Sequence, residues 1–301
     1  MKHYLRILLL FTLFAVTAGC NKITVTTNVS SPKRIISTSP SITETLFALG
    51  LGDKVVGVSR FCNYPPEAKQ LPKVGGLLDP NWEAVVTLQP NAVFVLQENA
   101  DAIERLKRLR LQSVVVNQSG FTDVLDSFGQ IAAIFDDDTV KRAAELRASI
   151  ERELNSIAAS VADKPKVKVL ISLDREVGGG KIRNMFVAGY NKYFDDVLMY
   201  AGGINVASNS EGVAAPIVST EGVIRMNPEV IIDLLPSNII GTTDEQREKK
   251  LATAKADWQS LAKDVDAVQT GRVYVVTEDF ATVPGPRIAK FVKLVAELLH
   301  K

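Results

Sequence analysis

Two glutamates open the same phrase in this chain. NWEAVVTLQPNAVFVL runs from Asn81 to Leu96, and TEGVIRMNPEVIIDLL from Thr220 to Leu235. With Glu83 laid on Glu221, Val85 meets Val223, Val86 meets Ile224, Leu88 meets Met226 and Pro90 meets Pro228, and an apolar run follows in both. A glutamate near a helix start is favoured by the helix dipole, by about 0.3–1 kcal/mol. Other chemistry-bearing residues are sparse. The histidines are His3 and His300 and the cysteines Cys20 and Cys62. The body of the chain therefore has no histidine-based zinc site, no Ser-His-Asp triad and no Cys-His pair. G-x-S-x-G, the P-loop and G-x-G-x-x-G are absent too. Gly178-Gly179-Gly180-Lys181 is followed by Ile182 rather than Ser or Thr, so it reads as a loop and not as a phosphate cradle.

The elements that must carry these residues form two α/β halves. At the start, Lys2 and Arg6 precede the apolar stretch Ile7–Val16, and the small residues Ala18 and Gly19 precede Cys20. That is a secretory signal, too short for a stable membrane helix. Residues 21–33 are polar and Thr-rich, suited to a tether. Beyond them, short buried-strand patterns alternate with helices: strands at 34–39, 54–58, 92–96 and 113–116, and helices at 41–50, 83–88, 100–109 and 123–135. Ser41 and Glu44 read as a capping box opening the first helix. This alternation predicts a parallel sheet covered on both faces.

The character changes over 139–163. Val140, Ala144, Ile150, Leu154, Ile157 and Val161 make an apolar stripe at helical spacing, and about 23 residues give a rod of about 35 Å. Alternation then restarts, with strands at 167–173, 230–234 and 273–276 and helices at 193–200, 221–226, 244–255 and 286–299. The expected organisation is a first lobe at 34–138, a linker helix at 139–163 and a second lobe at 164–301. The fold class is α/β: two lobes, each with a mainly parallel sheet flanked by helices, joined by one long spanning α-helix. Composition is ordinary for a globular protein, 46% hydrophobic and 23% charged with net charge +1, which gives no basic face for nucleic acid.

Order and spacing together resemble a known family, the helix-linked periplasmic substrate-binding proteins of ABC importers for ferric siderophores, haem and vitamin B12. The carriers are Arg34–Glu44 (RIISTSPSITE), Leu46–Gly50 (LFALG), Val55–Val58, Tyr64–Ala68 (YPPEA), Pro72–Gly76 (PKVGG), Glu83–Leu96, Tyr200–Gly203 and Gly285–Ile288 (GPRI). The Thr-Ala-Gly-Cys ending of the signal resembles a lipobox, which implies lipidation of Cys20 and an extracytoplasmic protein held at the membrane by its lipid. The family usually has Leu three residues before the cysteine, where this chain has Thr17. The resemblance also implies a role for the repeat. Glu83 and Glu221 match the acidic residue that each lobe offers to arginines on one half of a two-fold permease. Carboxylate–arginine pairs are charge-assisted and fix register.

A ligand held between lobes is lined by loops at the strand C-termini. Ser39, Arg60, Tyr64, Arg175, Arg183 and Tyr190 lie on such loops and are the expected ligand residues. Arginine donors complement the oxygens of an anionic ferric catecholate, so an iron(III) siderophore is the first expectation and a corrinoid the alternative. Tryptophans that embrace the corrin in B12-binding members are replaced here by Gly76-Leu77-Leu78, Leu96-Gln97-Glu98 and Ala214-Ala215-Pro216. The reading implies a monomer that is not an enzyme, uses no cofactor or protein-bound metal of its own, and has a permease dimer as its partner.

Overall fold

The computed structural model describes residues 31–301 apart from 78, 210–211 and 236–242. The expected signal at 1–20, Cys20 itself and residues 21–30 lie outside the described residues. No described helix is long and apolar enough to cross a membrane.

The first lobe is built on four strands, β1 (Ile35–Ser37), β2 (Val55–Val58), β3 (Ala92–Leu96) and β4 (Ser113–Val116), in the order β2-β1-β3-β4. All three pairings are parallel. Every residue of β1 and β3 is buried, as expected for apolar strands with both faces covered. The covering helices are α1 (Pro40–Ala48), α2 (Trp82–Thr87), α3 (Ala100–Arg108) and α4 (Phe121–Ala132). Helix α1 starts two residues before the expected capping box. Ser39, not Ser41, is its N-cap and accepts a bond from the Ile42 amide. Glu44 does not turn back to cap the helix, because its carboxylate is buried against Arg287 from the other end of the chain.

Helix α5 (Asp137–Ser160) is the spine. Its 24 residues span about 36 Å at 1.5 Å per residue. Asp136 caps it, accepting from the Thr139 amide and hydroxyl at 2.8 and 2.6 Å. The buried row is Thr139, Ala143, Ile150 and Leu154, with Leu146, Ile157 and Val161 packed on the same core. Val140 and Ala144, expected in that row, are exposed. Arg142 explains the phase: it donates to the Leu49 carbonyl and to Thr139 Oγ1, which turns the Thr139 side toward the first lobe.

The second lobe contains β5 (Val167–Arg175), β6 (Asn184–Val187), β7 (Gly203–Asn205), β8 (Ile217–Ser219), β9 (Val230–Leu234) and β10 (Val273–Val276). Its sheet runs β10-β9-β5-β6-β8, with β7 also on β5. The pairs β10–β9, β9–β5 and β5–β7 are parallel, whereas β6 runs antiparallel to β5 and β8. Its helices are α6 (Lys192–Ala201), α7 (Thr220–Met226), α8 (Asp244–Trp258), α9 (Asp266–Gln269) and α10 (Ile288–Leu299). Helix α6 ends on Gly202 at φ +81°, a left-handed cap that suits glycine. On α10, Ile288, Phe291, Val292, Val295 and Leu298 are all buried, the side the sequence pattern marks.

One core cluster runs through both lobes by way of α5, α6 and α10. Behind the sheets, α4 and α6 are also tied directly. The Phe121 ring stacks on Tyr200 at 5.7 Å and tilts against Tyr193 at 5.6 Å. Gly120 has no side chain with which to cap α4, and Asp196 of α6 accepts the Phe121 amide at 2.8 Å instead.

Candidate functional site: a cleft and two exposed glutamates

The repeat in the sequence is a repeat in the backbone. In one copy Asn81 caps α2 and accepts from the Ala84 amide, and in the other Ser219 caps α7 and accepts from the Gly222 amide. Glu83 and Glu221 each occupy the second position of their helix. Each helix ends near a residue in the left-handed region, Gln89 at φ 47° and Asn227 at φ 39°. Pro90 and Pro228 follow, and then β3 and β9, each parallel to the strand that opens its lobe. Both carboxylates are exposed, and neither makes an ion pair among the described residues. The backbone amide of Glu221 and the Ser219 hydroxyl bond its carboxylate and hold it below the usual carboxylate range.

A cavity of about 550 Å³ opens at the C-terminal ends of the first-lobe strands. Residues 38–41 after β1, Ser59, Phe61 and Asn63 after β2, Leu77, and Leu96 with Glu98 at the end of β3 line one side. The other side comes from the second lobe's 279–284 segment, with Asp279, Val283 and Pro284. The apolar contributions are Phe61, Leu77, Leu96, Val283 and the two prolines Pro40 and Pro284. Hydroxyls of Thr38, Ser39, Ser41, Ser59 and Thr282, the Asn63 amide and two carboxylates supply the polar part. No arginine, lysine or histidine lines it among the described residues. A groove of about 680 Å³ between α5 and α10 is larger, but it is an open trough between helix faces carrying Lys164, Lys293, Glu153 and Glu297, away from the strand ends.

The structure separates the six expected ligand residues. Ser39 lines the cavity, its hydroxyl 3.0 Å from that of Ser41. Arg60 is exposed near the rim but paired with Asp79, and its guanidinium holds the Asp79 carboxyl below the usual range. The pair lies over Gly76, where a Cβ would meet Asp79 Oδ1 at 2.6 Å and Arg60 Nη2 at 2.7 Å, so only glycine fits without a shift. Arg60 also sits 5.2 Å from the ring centre of Phe61, which lines the cavity while 52% exposed. Tyr64 turns its ring to the Arg287 guanidinium at 4.0 Å.

Arg175 lies outside the cavity. It is buried, with Nη2 at 2.7 Å from Asp233, Nη1 at 3.1 Å from Asp257, and a further bond to the Ala254 carbonyl. Trp258 Nε1 donates to the same Asp233, and Asp257 accepts the Gly178 and Gly180 amides. The side chain therefore braces the glycine loop from inside, with its nitrogens turned to protein acceptors. Arg183 is exposed on that loop, beside a separate pocket of about 260 Å³ with Lys181 and Glu176. Tyr190 is 64% exposed and joins the 213–217 segment through its amide, which donates to Val213 at 2.9 Å. That region presents further apolar surface: Phe186 and Ile217 are cross-strand partners on β6 and β8, and both are exposed.

Phe61, Leu77 and Asp279, which line the cavity, and Arg287 beside it are not among the six expected ligand residues. The first three fall within loops that strand ends alone mark out. Arg287 stands in the GPRI motif, but nothing in the sequence indicates where its side chain goes.

Comparison with known proteins places the chain. The model of the family described as periplasmic binding protein matches residues 35–280. This chain belongs to that family. It is 30% identical over 277 residues to the uncharacterized ABC transporter substrate-binding lipoprotein YvrC of Bacillus subtilis (strain 168), covering 89% of this chain and 80% of the relative. It is 28% identical over 292 residues to the cobalamin-binding protein of Halobacterium salinarum, covering 95% of this chain and 74% of that one. The solved structure of the periplasmic vitamin B12-binding protein BtuF of Vibrio cholerae shares the fold with a TM-score of 0.73 at 22% identity, covering 90% of this binding protein and 98% of BtuF.

Proposed function

We propose that this protein is the extracytoplasmic solute-binding component of an ABC importer, that it captures a corrinoid between its lobes, and that it delivers the ligand without chemical change. The observation that carries the choice of ligand is the cavity wall: apolar side chains, hydroxyls and two carboxylates, with no cation among the described residues. A ferric catecholate bears several negative charges and calls for arginine donors. Arg60 is engaged by Asp79, and Arg175 is sealed in the core. That argues against the siderophore expected from the arginine count. A corrinoid is a broad ring with apolar faces and neutral amide arms. It suits Phe61, Leu77, Leu96 and Pro284 against its faces, and hydroxyl and carboxylate acceptors at its edge. The cobalamin-binding relative points the same way.

Delivery, in this reading, uses Glu83 and Glu221 as matched anchors for cationic side chains on the two halves of a permease. Their exposure, their identical helix position and their freedom from ion pairs support it. Cys20, outside the described residues, would carry the lipid that keeps the protein at the membrane.

A thermal-shift panel on residues 31–301 tests the ligand, because a ligand bound only by the folded state raises the melting temperature. Cyanocobalamin is expected to raise it, and ferric catecholate, ferric hydroxamate and haem to leave it unchanged. A shift with a ferric chelate alone would overturn the corrinoid reading and return Arg60 to the ligand set.

A further inference from the structure

Arg287 joins the second lobe to the first through a buried ion pair. It is buried just ahead of α10, and its three nitrogens serve two lobes. Nε donates to Glu44 Oε2 at 2.8 Å and Nη2 to Oε1 of the same carboxylate, a two-pronged pair with α1 of the first lobe. Nη1 donates to Asp279 Oδ1 at 2.8 Å, and Asp279 lines the cavity. The guanidinium also faces Tyr64 of the first lobe at 4.0 Å and Phe280 at 5.7 Å. Between Asp279 and Arg287 the chain runs through Thr282, Val283 and Pro284 along the cavity wall. Gly285 then packs against Ser41, whose backbone an added Cβ would meet at 3.4 Å, an ordinary contact, and Ser41 lines the facing wall.

We propose that Arg287 is the positioning residue of the cleft: its guanidinium fixes the separation between the first-lobe wall at Ser39–Ser41 and the second-lobe strap at 279–284. The geometry is what this task needs. Glu44 is buried away from the cavity, so it anchors the cation without meeting a ligand. Asp279 carries the position of that anchor to the cavity surface. A planar guanidinium bridges both carboxylates at once, whereas an ammonium is a point charge without that fork. The α4–α6 contacts and the shared core already keep the lobes together. Arg287 therefore governs the width and the spread of the gap, not the existence of the two-lobed structure.

The proposal rests on reading the cavity as the ligand site, and its test separates the two. Spin labels at Lys107→Cys on α3 and Lys249→Cys on α8, both exposed, report the distance between lobes with no ligand present. Cyanocobalamin titration reports the cleft. Arg287→Met is expected to broaden the distance distribution and to weaken cyanocobalamin binding at least tenfold, with Arg287→Lys intermediate on both. Glu44→Gln, the milder change, is expected to shift both in the same direction and serves if Arg287→Met does not fold. An unchanged distribution in the folded variants would overturn the proposal even if their melting temperature fell. So would a broadened distribution with unchanged affinity, or full recovery of both by Arg287→Lys. If the wild type does not bind cyanocobalamin, the corrinoid reading fails, and the distance distribution alone decides for Arg287.

Discussion

Replacing Arg175 with methionine tests whether this side chain belongs to the core or to a ligand. Its guanidinium and the carboxylates of Asp233 and Asp257 are each no more than 1% exposed. Methionine keeps most of the volume and removes every polar contact. Asp257 retains the Gly178 and Gly180 amides, and Asp233 keeps Trp258 Nε1 as a donor but loses the arginine's paired charge. Removing one partner from a buried ion pair costs about 3–5 kcal/mol, because the other charge stays buried without compensation. For a chain of this size, each kcal/mol lowers the melting temperature by about 2–4 °C, so the expected drop is roughly 6–20 °C. Calorimetry measures it, and ligand titration well below the transition measures binding by the folded fraction. Affinity is expected to stay within about threefold, since Arg175 does not touch the cavity. A stable Arg175→Met protein that had lost its ligand would refute this reasoning and return the residue to the cleft.

Reversal of both carboxylates proposed for docking, Glu83→Arg with Glu221→Arg, is expected to abolish uptake in a reconstituted or whole-cell transport assay while ligand affinity is unchanged; an equal fall in affinity would remove the proposed docking role. Burial pushes the Cys62 thiol up to about 11, so a thiolate-seeking reagent at pH 8 is expected to modify residues 31–301 only after unfolding, and rapid labelling of the native protein would contradict the burial. The Tyr193 hydroxyl is buried and bonds no described residue. Tyr193→Phe is therefore expected to leave stability unchanged or raise it by up to about 1 kcal/mol, since the variant no longer buries a group that costs about 1–3 kcal/mol to desolvate; a large loss in urea denaturation would mean that the hydroxyl is bonded.

Much of the fold was legible because local signals agree with the final packing. The repeat around Glu83 and Glu221 places two helices, two left-handed turns and two buried strands in register, and the α10 stripe marks its buried side residue for residue. What escaped depends on contacts distant in sequence. The phase of α5 turns on Arg142 reaching Leu49, 93 residues away. The start of α4 is capped by Asp196, 75 residues from the amide it serves. The strands β6 and β8 are only four and three residues long, and their antiparallel pairing leaves Phe186 and Ile217 exposed. Of the cleft, the loops could be located from strand ends, but the state of each arginine could not. Arg60, Arg175 and Arg183 look alike in a sequence, and only the positions of Asp79, Asp233 and Asp257 tell them apart.

The bond between Glu44 and Arg287 also orders events in time. The two residues are 243 positions apart. At about 5–20 residues per second, synthesis of that interval takes roughly 12–50 s. Throughout it, α1 carries a carboxylate destined for a dry site whose counter-ion does not yet exist. The pair therefore ties the burial of a first-lobe carboxylate to a residue made 243 positions later.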